Sequence, residues 1–182
     1  MSLTAAMPMD YAETSPVEAL SREQFEEFYS ATRRPLRSYI CRITSSEAVA
    51  DDILQESYVR LLNAPPMRDA QRRSYLYRVA TNLVMDYGRS QSRQRRWWQY
   101  FRGRKESTET KLDLVSDMHR LFGKISVQDR ALLWLAYVEG AEHREIADIL
   151  KLREKSVKVM LHRARRRMEA VLQKHGYEVG DD

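Results

Sequence analysis

The chain has 182 residues, 43% of them apolar, a formal charge of +5 and a sequence pI near 9.4, which suit one ordinary domain or two small ones. Six glycines and five prolines are too few for long structureless segments, and the lone Cys41 excludes an intramolecular disulfide. The longest apolar run, residues 131–138, falls far short of the roughly 18 residues that cross a bilayer, so no membrane insertion is expected.

Residues 1–21 read as a mobile, mildly acidic leader with Pro8 and Pro16. They lack a basic start and an apolar core, so a signal peptide is not expected, and a soluble protein in a reduced cytosolic setting is. From Phe25 the apolar positions Phe28, Tyr29, Leu36, Tyr39, Ile40 and Ile43 predict one or two helices interrupted near Pro35. A second helix is predicted over 47–62, with its apolar face on Val49, Ile53, Leu54, Tyr58, Leu61 and Leu62, stopped by "NAPP".

The third helix is predicted from about Arg73 to Arg89 or beyond. Leu76, Val79, Ala80, Leu83, Val84 and Tyr87 make one continuous buried stripe, while the other side carries Arg78, Asn82, Met85 and Arg89. "RQRRWWQYFRGRK" at 93–105 follows, a run of cations and large aromatics with no acid among them, and then the polar "ESTETK" at 106–111, where a domain boundary is placed. The expected layout is a leader at 1–21, a helical domain at 22–96, a basic and aromatic linker at 97–111, a second helical domain at 112–175 and a tail at 176–182.

Leu112, Val115, Met118, Leu121 and Phe122 mark the first helix of that second domain. Ser126 is a predicted N-cap, with Asp129 three residues on and able to point back at the free N–H groups, and Gly140 a predicted left-handed stop. "EHREIADIL", a short turn and the basic "KSVKVMLHRARRRMEAVL" then have the arrangement of a helix-turn-helix. Val157, Leu161, Ala164, Met168, Val171 and Leu172 form the buried side of the last helix. Lys155, Ser156, Lys158, Val159, His162, Arg163, Arg166 and Arg167 face outward as candidate readers of bases and phosphates in a major groove. A merely solvated basic face is the alternative. His119, His143, His162 and His175 are scattered, and no catalytic set, phosphate loop or metal spacing is present, so neither catalysis nor a cofactor is expected.

Three ordered stretches, residues 47–62, 72–96 and 137–168, together resemble the bacterial sigma factors of the extracytoplasmic-function (ECF) group of the sigma-70 family. The resemblance implies an all-α fold of two small helical domains, sigma-2 and sigma-4, joined by a flexible linker. It implies a subunit, not itself an enzyme, that binds core RNA polymerase, directs it to specific promoters and helps melt them. Asp52, Gln55 and Glu56 match the acidic motif that docks on the clamp helices of the largest polymerase subunit. Arg78, Asn82, Asp86 and Arg89, continued by Arg93, Arg95 and Arg96, match the helix that reads the minus-10 element and its melted single strand, with the loop "NAPPMRDAQ" as a pocket for a flipped base. The outward side of the last helix would read the minus-35 element as duplex, and the second domain would meet the beta flap of polymerase. An anti-sigma factor is an expected partner, and the bacterial cytoplasm, on the nucleoid when active, the expected location.

The chain departs from the family pattern in its helix-turn-helix. Lys151 stands where glycine is usual, Glu142 and Arg153 stand where small hydroxyl caps are usual, and Val159 and Met160 replace serine and arginine. Met160 is expected to pack and Val159 to point outward, where it could meet a thymine methyl. The altered turn keeps open one rival, a sigma-like interaction module that no longer reads DNA; the other rival, a stand-alone helix-turn-helix regulator, would leave "DDILQE" and the helix at 72–96 without purpose. Trp97, Trp98, Tyr100 and Phe101 are left between DNA, polymerase, an inhibitor and the first domain's own core.

Overall fold

The computed structural model describes residues 20–44, 46–101 and 114–177, with the side chains of residues 70, 91–101 and 114–117 outside that description. Among the described residues there is no strand. Seven helices follow one another: α1 (Arg22–Thr44), α2 (Glu47–Leu62), α3 (Asp69–Phe101), α4 (Leu114–Phe122), α5 (Val127–Tyr137), α6 (His143–Leu150) and α7 (Glu154–Lys174).

A reciprocal capping box starts α1: the Gln24 amide donates to Ser21 Oγ at 3.2 Å, and the Ser21 amide donates to Gln24 Oε1 at 3.0 Å. The expected break at Pro35 does not occur, and α1 runs through it as one 23-residue helix. An internal proline costs about 3 kcal/mol. Thr32, Leu36, Tyr39, Ile40 and Ile43 are buried on both sides of it, and this shared stripe offsets the lost hydrogen bond. Across the α1–α2 contact, Tyr58 Oη lies 2.7 Å from Thr32 Oγ1. The threonine proton is already given to the Phe28 carbonyl at 2.6 Å, so Tyr58 is the donor.

Helix α2 has the limits expected from its sequence, but Leu62 lies outside the core, 55% exposed. Helix α3 starts earlier than expected and runs beyond Arg89 to Phe101, over 33 residues. Asp69 and Gln71, read as part of the loop, belong to its first turn, where the Gln71 amide donates to the Arg68 carbonyl at 2.8 Å. At its far end the helix continues through residues 97–101, the start of the expected linker.

In the second half, Ser126 caps α5 by accepting from the Asp129 amide at 3.1 Å, as expected. The Asp129 carboxylate does not turn back to the helix N–H groups. It accepts from Ser126 Oγ and from Arg167 Nη1, both at 2.7 Å. Gly140 adopts a φ of +63°, the left-handed stop predicted for it. The helix-turn-helix is α6, a tight turn and α7. Lys151 occupies the left-handed position of that turn at φ 53° and ψ 47°, and no side-chain bond caps α6 at Glu142 or α7 at Arg153. The turn therefore keeps a geometry that glycine enters readily, under a lysine that does not.

The fold is all-α with two helical domains, α1–α3 and α4–α7, as the sequence predicts. The two also dock on each other. One continuous apolar core joins Leu36, Tyr39, Leu76, Tyr77 and Val84 of the first to Leu132, Leu135, Ile146 and Ile149 of the second. Removing the left-handed strain in the turn should be visible directly. Lys151→Gly is expected to stabilise the protein by about 0.5–1 kcal/mol, strain relief less the added chain entropy of glycine, and denaturant unfolding measures it.

Candidate functional site

Three surfaces carry the residues singled out by sequence. On α2, Ile53, Leu54, Ser57, Tyr58 and Leu61 face inward, which leaves Asp52, Gln55 and Glu56 exposed on the opposite side. Arg60 Nε donates to Glu56 at 2.7 Å, and Asp51 is engaged by Arg37 through two bonds of 2.7 and 3.0 Å. The hydrogen bond to Arg37 holds the Asp51 carboxyl below its usual pKa. Asp52 and Gln55 are in none of these pairs. Val59 and Leu62, both at least half exposed, continue the same side of the helix at i+7 and i+10 from Asp52. Sequence reasoning missed Val59 and assigned Leu62 to the core. An acidic helix side with two uncovered aliphatic groups is suited to a partner that is basic and partly apolar.

The second surface is the outward side of α3. Arg78 is half-buried with its guanidinium 5.3 Å from the centre of the Tyr75 ring, a cation–π arrangement that also holds the ring in place. Asn82 is half-buried on the same side, and Asp86 and Arg89, both exposed, pair at 3.4 Å. Arg93, Arg95 and Arg96, with Trp97, Trp98, Tyr100 and Phe101, lie on the same continuous helix, and their side chains fall outside the described residues. At the start of α3, Pro65, Pro66, Met67, Leu61, Leu20 and Arg72 line a small pocket of about 150 Å³, in the loop expected to accept a flipped base.

The third surface is α7. Val157, Leu161 and Ala164 are buried, while Met168, Val171 and Leu172 are half-buried. Lys155, Lys158, Val159, His162, Arg163, Arg166 and Arg167 are exposed and Ser156 half-exposed at the helix start. Val159 points outward and Met160 packs on the core, as expected. The arginines are not equivalent. Arg167 is tied to the buried Asp129 at 2.7 Å, and Arg166 makes a loose pair with Glu169 at 3.6 Å. Arg163 takes part in no ion pair among the described residues. Asp129 is what sequence reasoning misassigned: its spacing marks a capping acid, and nothing local signals a partner 38 positions away.

No group of His, Cys, Asp and Glu among the described residues is arranged to hold a metal ion. No helix among them is long and apolar enough to cross a membrane.

Two family models cover these surfaces. Sigma-70 region 2 matches residues 28–94, and Sigma-70, region 4 matches residues 116–168. The chain belongs to the sigma-70 family. Its curated relatives put it in the ECF group. It is 29% identical to the ECF RNA polymerase sigma factor SigL of Mycobacterium tuberculosis over 174 residues, covering 87% of this chain and 92% of the relative. It is 23% identical to the ECF RNA polymerase sigma factor SigX of Bacillus subtilis over 166 residues, covering 84% of each. Among solved structures, the sigma factor RpoE in complex with the anti-sigma factor NepR from Bartonella quintana superposes with a TM-score of 0.63 at 18% identity, over 83% of this chain and 98% of that one. CnrH in complex with the cytosolic domain of CnrY superposes with a TM-score of 0.61 at 19% identity, over 85% and 90%. Those two likenesses concern the fold. Region 2 of this sigma factor holds most of α1, all of α2 and most of α3, hence the first two surfaces, and region 4 holds the third.

Within region 4, the tether on Arg167 separates two kinds of basic residue. Replacing Arg163 with Ala is expected to lower the salt slope of duplex binding by about one while leaving stability unchanged. Replacing Asp129 with Ala is expected to lower stability by about 1.5–3 kcal/mol, because it removes the acceptor of a charge-assisted bond at a buried position. Fluorescence anisotropy across a salt series and denaturant unfolding measure the two effects.

Proposed function

We propose that this sigma factor binds core RNA polymerase through the acidic side of α2, reads and opens the minus-10 element with α3, and reads the minus-35 duplex with α7. The observation that carries this reading is the occurrence of all three surfaces, in family order, on helices whose opposite sides are buried. A stand-alone helix-turn-helix regulator would account for α6 and α7 alone and leave the exposed side of α2 and the outward side of α3 without work.

The working units are residues 22–96 and 112–175, with α3 carrying the first of them on to Phe101. Asp52, Gln55 and Glu56 supply the acidic contacts to the clamp helices, and Val59 and Leu62 add an apolar edge to the same docking surface. On α3, Tyr75 with Arg78 offers a stacking platform for an unpaired base, Asn82 a polar edge, and Arg89, Arg93, Arg95 and Arg96 the phosphate side. The proline-lined pocket before α3 accepts the base that leaves the stack. On α7, Lys155, Lys158, His162, Arg163 and Arg166 meet bases and phosphates, and Val159 meets a thymine methyl. The sigma factor catalyses no step itself and works in the bacterial cytoplasm, on the nucleoid once engaged.

RpoE is solved with the anti-sigma factor NepR, and an anti-sigma factor is a partner of this chain in the same reading. A groove of about 680 Å³ between α4, α5 and α7, lined by Met118, Phe122, Leu133, Trp134, Tyr137 and Met168, supports the docking of an amphipathic helix. Arg42 and Arg165 on its rim favour acidic residues flanking the apolar side of that helix.

Run-off transcription with purified core polymerase on genomic fragments tests the reading. Addition of the protein is expected to start transcripts at a narrow promoter set. Asp52→Arg/Glu56→Arg is expected to weaken core binding by at least about tenfold, with an unchanged circular dichroism spectrum. Absence of both transcripts and a complex with core would overturn the assignment.

A further inference from the structure

The groove between α4, α5 and α7 leaves apolar surface uncovered. Met118, Tyr137 and Val138 line it and stay 43%, 60% and 59% exposed. Single exposed apolar side chains are ordinary, but three along one concave wall mark a binding surface. Its volume of about 680 Å³ falls within the roughly 300–1,000 Å³ of small-molecule sites. Part of the wall is fixed in place. Trp134 Nε1 donates to Glu139 Oε1 at 3.0 Å, and Arg73 Nη2 and Tyr77 Oη hold Glu139 Oε2 at 2.9 Å each. The indole has thus committed its one donor and offers the groove only apolar surface.

The polar groups of the groove are nearly all basic. Arg42 from the end of α1, His119 from α4 and Arg165 from α7 line it, with Glu169 as the single acid. Glu169 is already paired with Arg166 at 3.6 Å. Arg42 and Arg165 take part in no hydrogen bond or ion pair among the described residues. His119 Nε2 is buried without a hydrogen-bond partner there. Burial first, then the charges of Arg42 and Arg130, hold the His119 imidazole below its usual pKa, against the opposing pull of Glu47. His119 is therefore neutral at pH 7, and the two guanidinium groups carry the charge of the groove.

We propose that this groove is a binding site for a small amphipathic carboxylate, an apolar body ending in one carboxyl group. The body covers Trp134 and the exposed side chains, and the headgroup lies at the arginine rim, where a planar guanidinium fork matches a carboxylate. With its proton on Nε2, His119 donates to a carboxylate that reaches it, which gives that nitrogen a partner. Other ligand classes fit less well. A neutral apolar molecule leaves both arginines without a counter-ion, a cation is repelled, and a sugar phosphate sets hydroxyls against walls that cannot pair with them. The anti-sigma helix inferred above uses the same apolar strip and the same two arginines, so ligand and helix exclude each other. That consequence rests on the anti-sigma reading; the ligand site does not.

Calorimetric titration of the full chain with decanoate, below the concentration at which it forms micelles, tests the site. Saturable one-to-one binding is expected, with decanol, which lacks the charge, and acetate, which lacks the body, each at least about tenfold weaker. Arg42→Gln/Arg165→Gln should weaken decanoate by about tenfold or more, the loss expected for a charge-assisted bond, and leave decanol unchanged. In a Trp97→Phe/Trp98→Phe background Trp134 is the only tryptophan, and decanoate should shift its emission to shorter wavelength. No saturable binding, equal affinity for decanol, undiminished binding by the double glutamine variant, or binding without a change at Trp134 would each overturn the proposal. A groove covered by a second copy would give a dimer by light scattering and no decanoate binding, which equally overturns it. A labelled amphipathic helix of leucine and glutamate, bound to the protein, should be displaced by decanoate, and a helix retained at saturating decanoate would place the ligand elsewhere and overturn the site. If no such helix binds, the helix-docking reading fails, and the calorimetry still decides the ligand site.

Discussion

The carboxylate of Glu139 ties together parts of the chain more than 60 residues apart in sequence, and its position follows from one turn. Helix α5 ends at Tyr137, and Gly140 enters the left-handed region, which sends the chain back toward α6. The turn that sets the angle between α5 and α6 therefore also presents Glu139 to α3. Arrangement of the helix-turn-helix and docking of the two domains share a backbone conformation. Around this polar centre the apolar residues of both halves close into a single core, so the interface has both a fit and a seal.

The basic character of the chain is divided by these contacts. Arg73 is spent on two glutamates, Arg78 leans on Tyr75, and Arg167 is held by Asp129. Lys155, Lys158 and Arg163 stay exposed on α7. A positive net charge counts all of these alike, whereas only the uncommitted groups can release counterions from a phosphate backbone at full effect. A tied and an exposed arginine thus stand four residues apart on α7, Arg167 on Asp129 and Arg163 toward solvent.

What was legible in the sequence was local or periodic. The stripes of α3 and α7, the limits of α2, the cap at Ser126 and the stop at Gly140 each depend on a few neighbouring residues, and each is where it was expected. Pro35 misled because a local cost was outweighed by burial on both sides of it. Leu62 misled because a pattern of apolar residues does not say where a helix stops being covered. Asp129 misled because an acid at a capping position has the same sequence whether it bonds an N–H or a distant arginine. The bonds of Glu139 and Glu145 to α3 were invisible for the same reason in stronger form. Glutamates after α5 and on α6 look like an ordinary charged surface until another helix is laid against them.

Helix α3 extends well beyond Tyr77, its contact with Glu139. From Tyr77 to Phe101 it advances 24 residues, about 36 Å at 1.5 Å per residue. A straight helix pivoted at Tyr77 is a lever, and a tilt of 10° there displaces its far end by about 6 Å. The backbone of the arginine and tryptophan run beyond Arg89 is carried on that far arm. A straight arm of that length would magnify a small adjustment among Arg73, Tyr77 and Glu139 into a displacement of nearly two base-pair steps at Phe101.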